Sequence, residues 1–178
     1  MSFWAKLFGR AKKKPKMADA IVTVARGEVG VREIGRTNKG PRVDEYRATT
    51  SLSIDYGWPW CAAFVCWVIR EAAKLSGLKE SDTYKHPTTA AAFAFPGWSL
   101  RQDSTTQTKR RPITSVVAGD IVVFTFSHIG IATGHADASG DFPTIEGNTD
   151  FAGSREGGGV YEKRRNLSQV KARIRFTV

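Results

Sequence analysis

The chain has 178 residues, 41% of them hydrophobic and 25% charged, and a formal net charge of +10. That length suits one domain able to bury a core without disulfide or metal staples. No apolar run approaches the roughly 20 residues a membrane span needs; the longest, Ala62 to Ile69, leads straight into Arg70 and Glu71.

Six of the ten net charges sit at the start. Lys6, Arg10, Lys12, Lys13, Lys14 and Lys16 precede residue 17 with no acid among them. With Phe3, Trp4, Leu7 and Phe8 they make residues 1–16 a basic amphipathic tail. A solvated arm is the plain reading of such a charge run. Adhesion to an anionic envelope surface, such as lipid headgroups, lipopolysaccharide or wall polymers, is the functional one. No basic-aromatic repeat or nucleic-acid motif is present, so nucleic acid is not an expected partner. The charges follow the apolar residues and no long apolar region succeeds them. A secretory signal is therefore not expected, and synthesis in the cytoplasm is.

Past the tail, Ala18 to Val29 reads as a helix with Ile21, Val24, Ala25 and Val29 on one face. Gly30, Gly35 and the run Asn38 to Pro41 break the chain, and Pro41 can open a short helix from Arg42 to Arg47. Thr49 to Trp58 is a polar loop. Trp60 to Leu75 carries the strongest helical pattern and is stopped by Gly77. Thr88 to Phe95 predicts a short alanine-rich helix ended by Pro96, and Ser99 to Arg111 a polar connector. Ile121 to Phe126, Ile129 to Thr133 and Pro143 to Glu146 then read as strands, with weaker candidates at Val160 to Lys163 and Ala172 to Val178. Helices first and strands later predict an α+β domain, N-terminal helices packed on a C-terminal antiparallel sheet, rather than alternating βαβ units.

The two cysteines, Cys61 and Cys66, lie five apart. On a helix they sit about 140° apart around the axis, a poor arrangement for a disulfide, and no second pair completes a zinc pattern. Cys66 lies among Phe64, Val65, Trp67 and Val68 and reads as core. Cys61 falls in the first helical turn, where unpaired backbone N–H groups and a partial positive charge favour a thiolate. The same N–H groups suit an oxyanion. Burial beside Trp60 is the competing reading.

A cysteine nucleophile needs a base. Of the three histidines, His128 opens the strand Ile129 to Ala132, where it is held rigidly; His86 precedes Pro87 in a loop, and His135 lies past the strand end. The base needs an orienting acceptor. Glu146 at a strand end can accept the imidazole N–H, and Asn148 can orient a ring or donate to substrate. Asp120 reads as a turn residue that starts a strand. Trp58 and Trp60 are candidates to line a substrate groove, with core or rim packing the alternative.

Four stretches now stand in order: Pro59-Trp60-Cys61-Ala62-Ala63-Phe64-Val65, Gly119-Asp120-Ile121-Val122-Val123-Phe124, Ser127-His128-Ile129-Gly130-Ile131, and Ile145-Glu146-Gly147-Asn148. As a set they resemble the cysteine, histidine-dependent amidohydrolase/peptidase (CHAP) family of peptidoglycan hydrolases, related to NlpC-type cysteine peptidases. Gly30-Val31-Arg32-Glu33 and Asn38 to Tyr46 resemble the opening of bacterial and phage members. The resemblance spans nearly everything past the tail and makes residues 17–178 a CHAP-like catalytic domain with a papain-like fold. It implies Cys61 as nucleophile, His128 as general base and acid, Glu146 as orienting acid and Asn148 as an assisting residue. It implies cleavage of an amide in bacterial peptidoglycan, either the muramoyl–L-alanine bond or a peptide bond of the stem or cross-bridge. Some members bind calcium through an acidic loop before the cysteine. Here Thr49 to Trp60 offers only Asp55, and such sites use more than one acid, so no metal or other cofactor is expected.

A small monomeric wall hydrolase of this kind suits a phage endolysin released through a holin, or a delivered antibacterial enzyme. The rivals are a non-catalytic wall-binding module and a cysteine amidase with a non-wall substrate. If the tail serves adhesion, deleting residues 1–16 weakens binding to intact cells and makes the remaining binding less sensitive to salt. A sedimentation assay across a salt series checks this, and unchanged binding and salt response would remove the tail's role.

Overall fold

The computed structural model describes residues 13–154 and 156–178; the greater part of the basic tail lies outside them. Among the described residues the fold is α+β, with helices α1 (Met17–Gly27), α2 (Pro41–Arg47), α3 (Cys61–Ser76) and α4 (Phe95–Ser99) preceding or flanking a six-stranded antiparallel sheet. The strands are β1 (Thr106–Arg110), β2 (Ile121–Phe124), β3 (Ile129–Ala132), β4 (Asp141–Thr149), β5 (Gly159–Asn166) and β6 (Val170–Phe176), in the spatial order β1-β6-β2-β3-β4-β5.

α3 is the hub. Its residues from Cys61 to Ile69 are all buried, which explains why its sequence is apolar all round rather than on one stripe. Gly77, in the left-handed conformation at φ 80°, closes it. α1 packs along α3 through Ala20, Ile21 and Ala25, while β3 and β4 contribute Ile129, Ile131 and Ile145 to the same core. A smaller cluster of Ile113, Val116, Val122, Phe124, Ala132 and Phe142 covers the other sheet face. The central strands are thus buried on both sides, and β2 and β3 read as continuous apolar runs.

Three expectations are corrected. α1 ends at Gly27, and Val29 lies beyond it, largely exposed. Pro96 opens a helix instead of ending one: Thr88 to Ala91 is not helical, and α4 begins at Phe95 with the proline in its first turn, where a missing N–H costs nothing. The polar connector before Arg111 contains β1, an edge strand of sequence Thr-Gln-Thr-Lys-Arg that, among the described residues, pairs with β6 alone. At the opposite edge, residues 30–33 lie along β5 through Gly30 N–H to Val160 O (3.0 Å) and Glu33 N–H to Gly158 O (2.8 Å). That segment shields what would otherwise be an open edge.

Asp120 has no exposed surface and ties the sheet to the turn before β2. It accepts from Arg175 Nε and Nη2 (both 2.7 Å) and from Val117 N–H (2.8 Å), with Arg173 Nη1 at 3.8 Å. Asp120→Ala strands two guanidiniums on one sheet face. Breaking a buried pair costs about 3–5 kcal/mol, and Arg175 is partly hydrated, so a loss near about 3 kcal/mol is expected. Thermal unfolding should therefore shift down by roughly 10 °C; an unchanged midpoint would show that the pair is not holding the turn.

Candidate active site

Cys61 is the first residue of α3, 7% exposed, with Trp60 at the N-cap. No side chain caps this end and no acid lies in its first turn. The positive end of the helix dipole therefore faces the sulfur unopposed.

His128 is carried on the turn between β2 and β3. Ser127 adopts φ 58°, and Phe124 N–H donates to His128 O at 2.9 Å, closing the hairpin. The imidazole has no exposed surface and lies nearly parallel to the rings of Phe124 and Phe126, with centroids 6.1 and 6.0 Å away. Two χ angles are thus fixed by packing before any polar contact is made.

Glu146, on β4, is equally buried, and its Oε2 lies 3.1 Å from His128 Nε2. This is ion-pair contact without an aligned hydrogen bond. With Nε2 on the carboxylate, Nδ1 is the ring nitrogen left for Cys61. Two glycines allow the approach. A Cβ on Gly130 would meet Glu146 Cγ at 2.6 Å, and one on Gly147 would meet Phe64 Cβ at 2.8 Å and the Trp60 ring at 2.9 Å. β3, β4 and the start of α3 come together only because both positions lack a side chain.

Three residues found by the sequence reading therefore converge, Cys61 at the helix start, His128 just before β3 and Glu146 within β4, which runs on to Thr149 instead of ending at Glu146 as expected. Burial alone would push the imidazole towards its neutral form, but contact with Cys61 and Glu146 outweighs this and raises the His128 pKa to about 9. Burial likewise opposes ionisation of Glu146, and hydrogen bonding from Arg165 and contact with His128 overcome it, holding the carboxyl well below its usual range.

The sequence reading missed the partners of Glu146. Arg165 on β5 donates from Nε to Oε1 (2.8 Å) and from Nη2 to Oε2 (2.6 Å), and Thr144 Oγ1 donates to Oε1 (2.6 Å). Nothing local in Glu162-Lys163-Arg164-Arg165 marks one arginine of that run as largely covered; only the register of β5 on β4 does.

The structure also places the remaining candidates. Asn148 follows Glu146 by two residues where the β4–β5 pairing is irregular, at φ 56° and buried, and its carbonyl accepts from Gly157 N–H at 2.9 Å. Trp60 is fully buried against Tyr46 (5.7 Å between centroids), with Nε1 donating to Glu33. It is therefore core, and the expectation that it lines a groove is corrected. Trp58 is half-buried under Arg47, with Nε1 on Ser53 O at 2.8 Å. Cys66 is buried; burial pushes its thiol far up, and its S–H faces Thr89 O at 3.4 Å. His86 pairs with Glu80, and His135 is exposed. Asp55 is exposed beside Ser53, and among the described residues no group of three or more His, Cys, Asp or Glu side chains forms a metal-holding cluster. A polar cavity of about 290 Å³ opens beside the approach to Cys61, lined by Glu33, Arg36, Asn38, Pro59, Asp150 and Gly158 among others.

No protein-family model matches the chain, and no curated protein sequence matches it. Among solved structures it is similar to the wild-type endolysin LysIME-EF1, with 19% identity and a TM-score of 0.48. The similarity covers 90% of this chain and 63% of that one, so the chain spans less than two thirds of its length.

Proposed function

We propose that the protein is a cysteine-dependent peptidoglycan hydrolase of the CHAP type, acting like an endolysin on an amide bond of the bacterial wall. The observation that carries this reading is the convergence of Cys61, at an uncapped helix start, with a buried His128 and a buried Glu146. A core without chemistry has no use for this set, since burying an imidazole and a carboxylate costs free energy that apolar residues would not. The wall as substrate rests on the resemblance of the four sequence stretches. Action after release from the cytoplasm, as a monomer and without a cofactor, belongs to the same proposal.

In the reaction, His128 takes the proton of Cys61, and Sγ attacks the amide carbonyl. The C=O π pair moves onto oxygen, where the first N–H groups of α3 stabilise it. Collapse breaks the C–N bond, and His128 gives its proton to the leaving amine. Water, deprotonated by His128, then attacks the thioester and releases a carboxylate and the restored thiol. Glu146 fixes the ring so that Nδ1 faces sulfur, and stabilises the imidazolium.

Purified sacculi digested with wild type should release fragments whose masses identify the bond. Cys61→Ala should release none while remaining folded, and Cys66→Ser should keep most of the activity. Binding of wild type to sacculi without fragments would replace the enzyme by a binding module. Turnover of another amide with no effect on sacculi would move the substrate outside the wall.

The raised His128 pKa sets a pH dependence. The imidazolium's contribution to stability is fully present below the free-histidine value of about 6.5 and is lost as pH rises through the folded value. Glu146 is the reverse: its contribution is present above the free-glutamate value of about 4.3 and is lost as pH falls through its lowered one. The basic limb of kcat/KM should therefore lie near pH 9, and Glu146→Gln should move it down. A basic limb near about 6.5 that ignores this substitution would break the link between His128 and Glu146.

A further inference from the structure

We infer that Arg165 is the positioning residue for the acid of this site: its guanidinium fork holds the Glu146 carboxylate against His128. The inference rests on the cysteine-hydrolase reading above, and its geometry stands apart from it. Glu146 has no exposed surface, and Arg165 closes over it with a side chain only 10% exposed. Both oxygens are engaged by the two prongs, at 2.8 and 2.6 Å, which fixes the plane of the carboxylate as well as its position. The guanidinium is itself held, with its carbon 5.3 and 5.1 Å from the ring centroids of Phe124 and Phe126, the two rings that stack on His128. Arg165 Nη2 also reaches Gly153 O at 3.2 Å, so the residue joins the acid, the ring stack and the loop after β4.

The charged and titratable groups around Glu146 come from every neighbouring element. From the same face of β5 come Tyr161, directly opposite Glu146 in the register, then Lys163 and, four residues along, Arg165, whose side chain reaches back to the carboxylate. His128 comes from the β2–β3 turn, with Cys61 behind it from α3; Thr144 on β4 is neutral. Lys163 is turned to the carbonyls of Asp150 and Phe151, and the Tyr161 ring lies under Arg32. Among the described residues, Arg165 is therefore the cation that meets Glu146 directly, besides His128 itself.

The test uses the full chain with Arg165→Met and Arg165→Lys, and with Arg164→Met as control. Arg164 follows the same strand but pairs with Asp137 and is exposed. Two readouts are taken: steady-state kinetics against pH on solubilised wall fragments, and carbon-13 NMR titration of the glutamate carboxyls, with Glu146 assigned by Glu146→Gln. Arg165→Met should lower kcat by about tenfold or more with little change in KM, and move both the acid limb and the Glu146 titration up by about one pH unit or more. Arg165→Lys should keep the titration low yet recover only part of kcat, because a point charge lacks the fork. Arg164→Met should resemble wild type. A folded Arg165→Met with wild-type kcat and an unmoved Glu146 titration overturns the inference. Should that variant fail to fold, full wild-type kcat in Arg165→Lys overturns it equally. A wild-type protein without Cys61-dependent turnover would sink the hydrolase reading instead, and the carboxyl titration would still decide the role of Arg165.

Discussion

A carboxylate with no access to water has to find its solvation inside the protein, and Glu146 finds it from the two prongs of Arg165 and the Thr144 hydroxyl, with the His128 imidazole in ion-pair contact. The requirement organises a large part of the fold. It brings β5 into register on β4, it fixes which face of β5 carries Arg165, and it sets the orientation of His128 around its own ring stack. It also decides the electrostatics, since the acid is shared. A carboxylate given wholly to His128 would hold the imidazolium more tightly than one that also answers to a guanidinium. The arrangement sets one carboxylate, Glu146, between the Arg165 guanidinium and the His128 imidazole.

That cluster is possible only because backbones pass unusually close to one another. β4 crosses the start of α3 at Gly147, and β3 meets the Glu146 stem at Gly130; at both places a single methyl would collide with atoms nearer than 3.0 Å. The cost of glycine in a strand is repaid by distance. Without these two positions the helix start and the acid would be separated by the thickness of a side chain, beyond the reach of one imidazole. The glycines in Ile129-Gly130-Ile131 and Glu146-Gly147-Asn148 are thus part of the site's geometry rather than interruptions of the strands.

How much of this was legible in the sequence depends on how local each feature is. The helix beginning near Cys61 was legible because an apolar run bounded by Pro59 and Gly77 carries its own boundaries. His128 was legible because it abuts the β-branched run that opens β3, and Glu146 because it follows Thr144-Ile145, although β4 runs on to Thr149. Arg165 was not, because its burial depends on register with a strand some twenty residues earlier, and a run of four charged residues looks like surface. β1 was hidden for a related reason: an edge strand with one neighbour needs no apolar alternation. Pro96 was misplaced because a proline marks a helix boundary without saying on which side the helix lies. Trp60 was read as a possible groove wall because an aromatic beside a nucleophile invites that role, whereas the packing against Tyr46 assigns it to the core.

The two cysteines state the general lesson in one helix. Both are buried, both lie in α3, and five residues separate them. Cys66 sits in mid-helix, where backbone N–H groups are consumed by the helix and the surroundings are apolar; burial raises its thiol and leaves it a carbonyl to face. Cys61 sits where the helix has N–H groups to spare, where the β2–β3 turn brings His128 into contact and where β4, passing at Gly147, carries Glu146 beside His128. Residue type and secondary structure are thus the same at the two positions, and only their surroundings differ. On the proposed reading, what sets Cys61 apart is that the helix end and the sheet meet at that residue, with the Arg165–Glu146 pair holding the sheet side of that meeting in place.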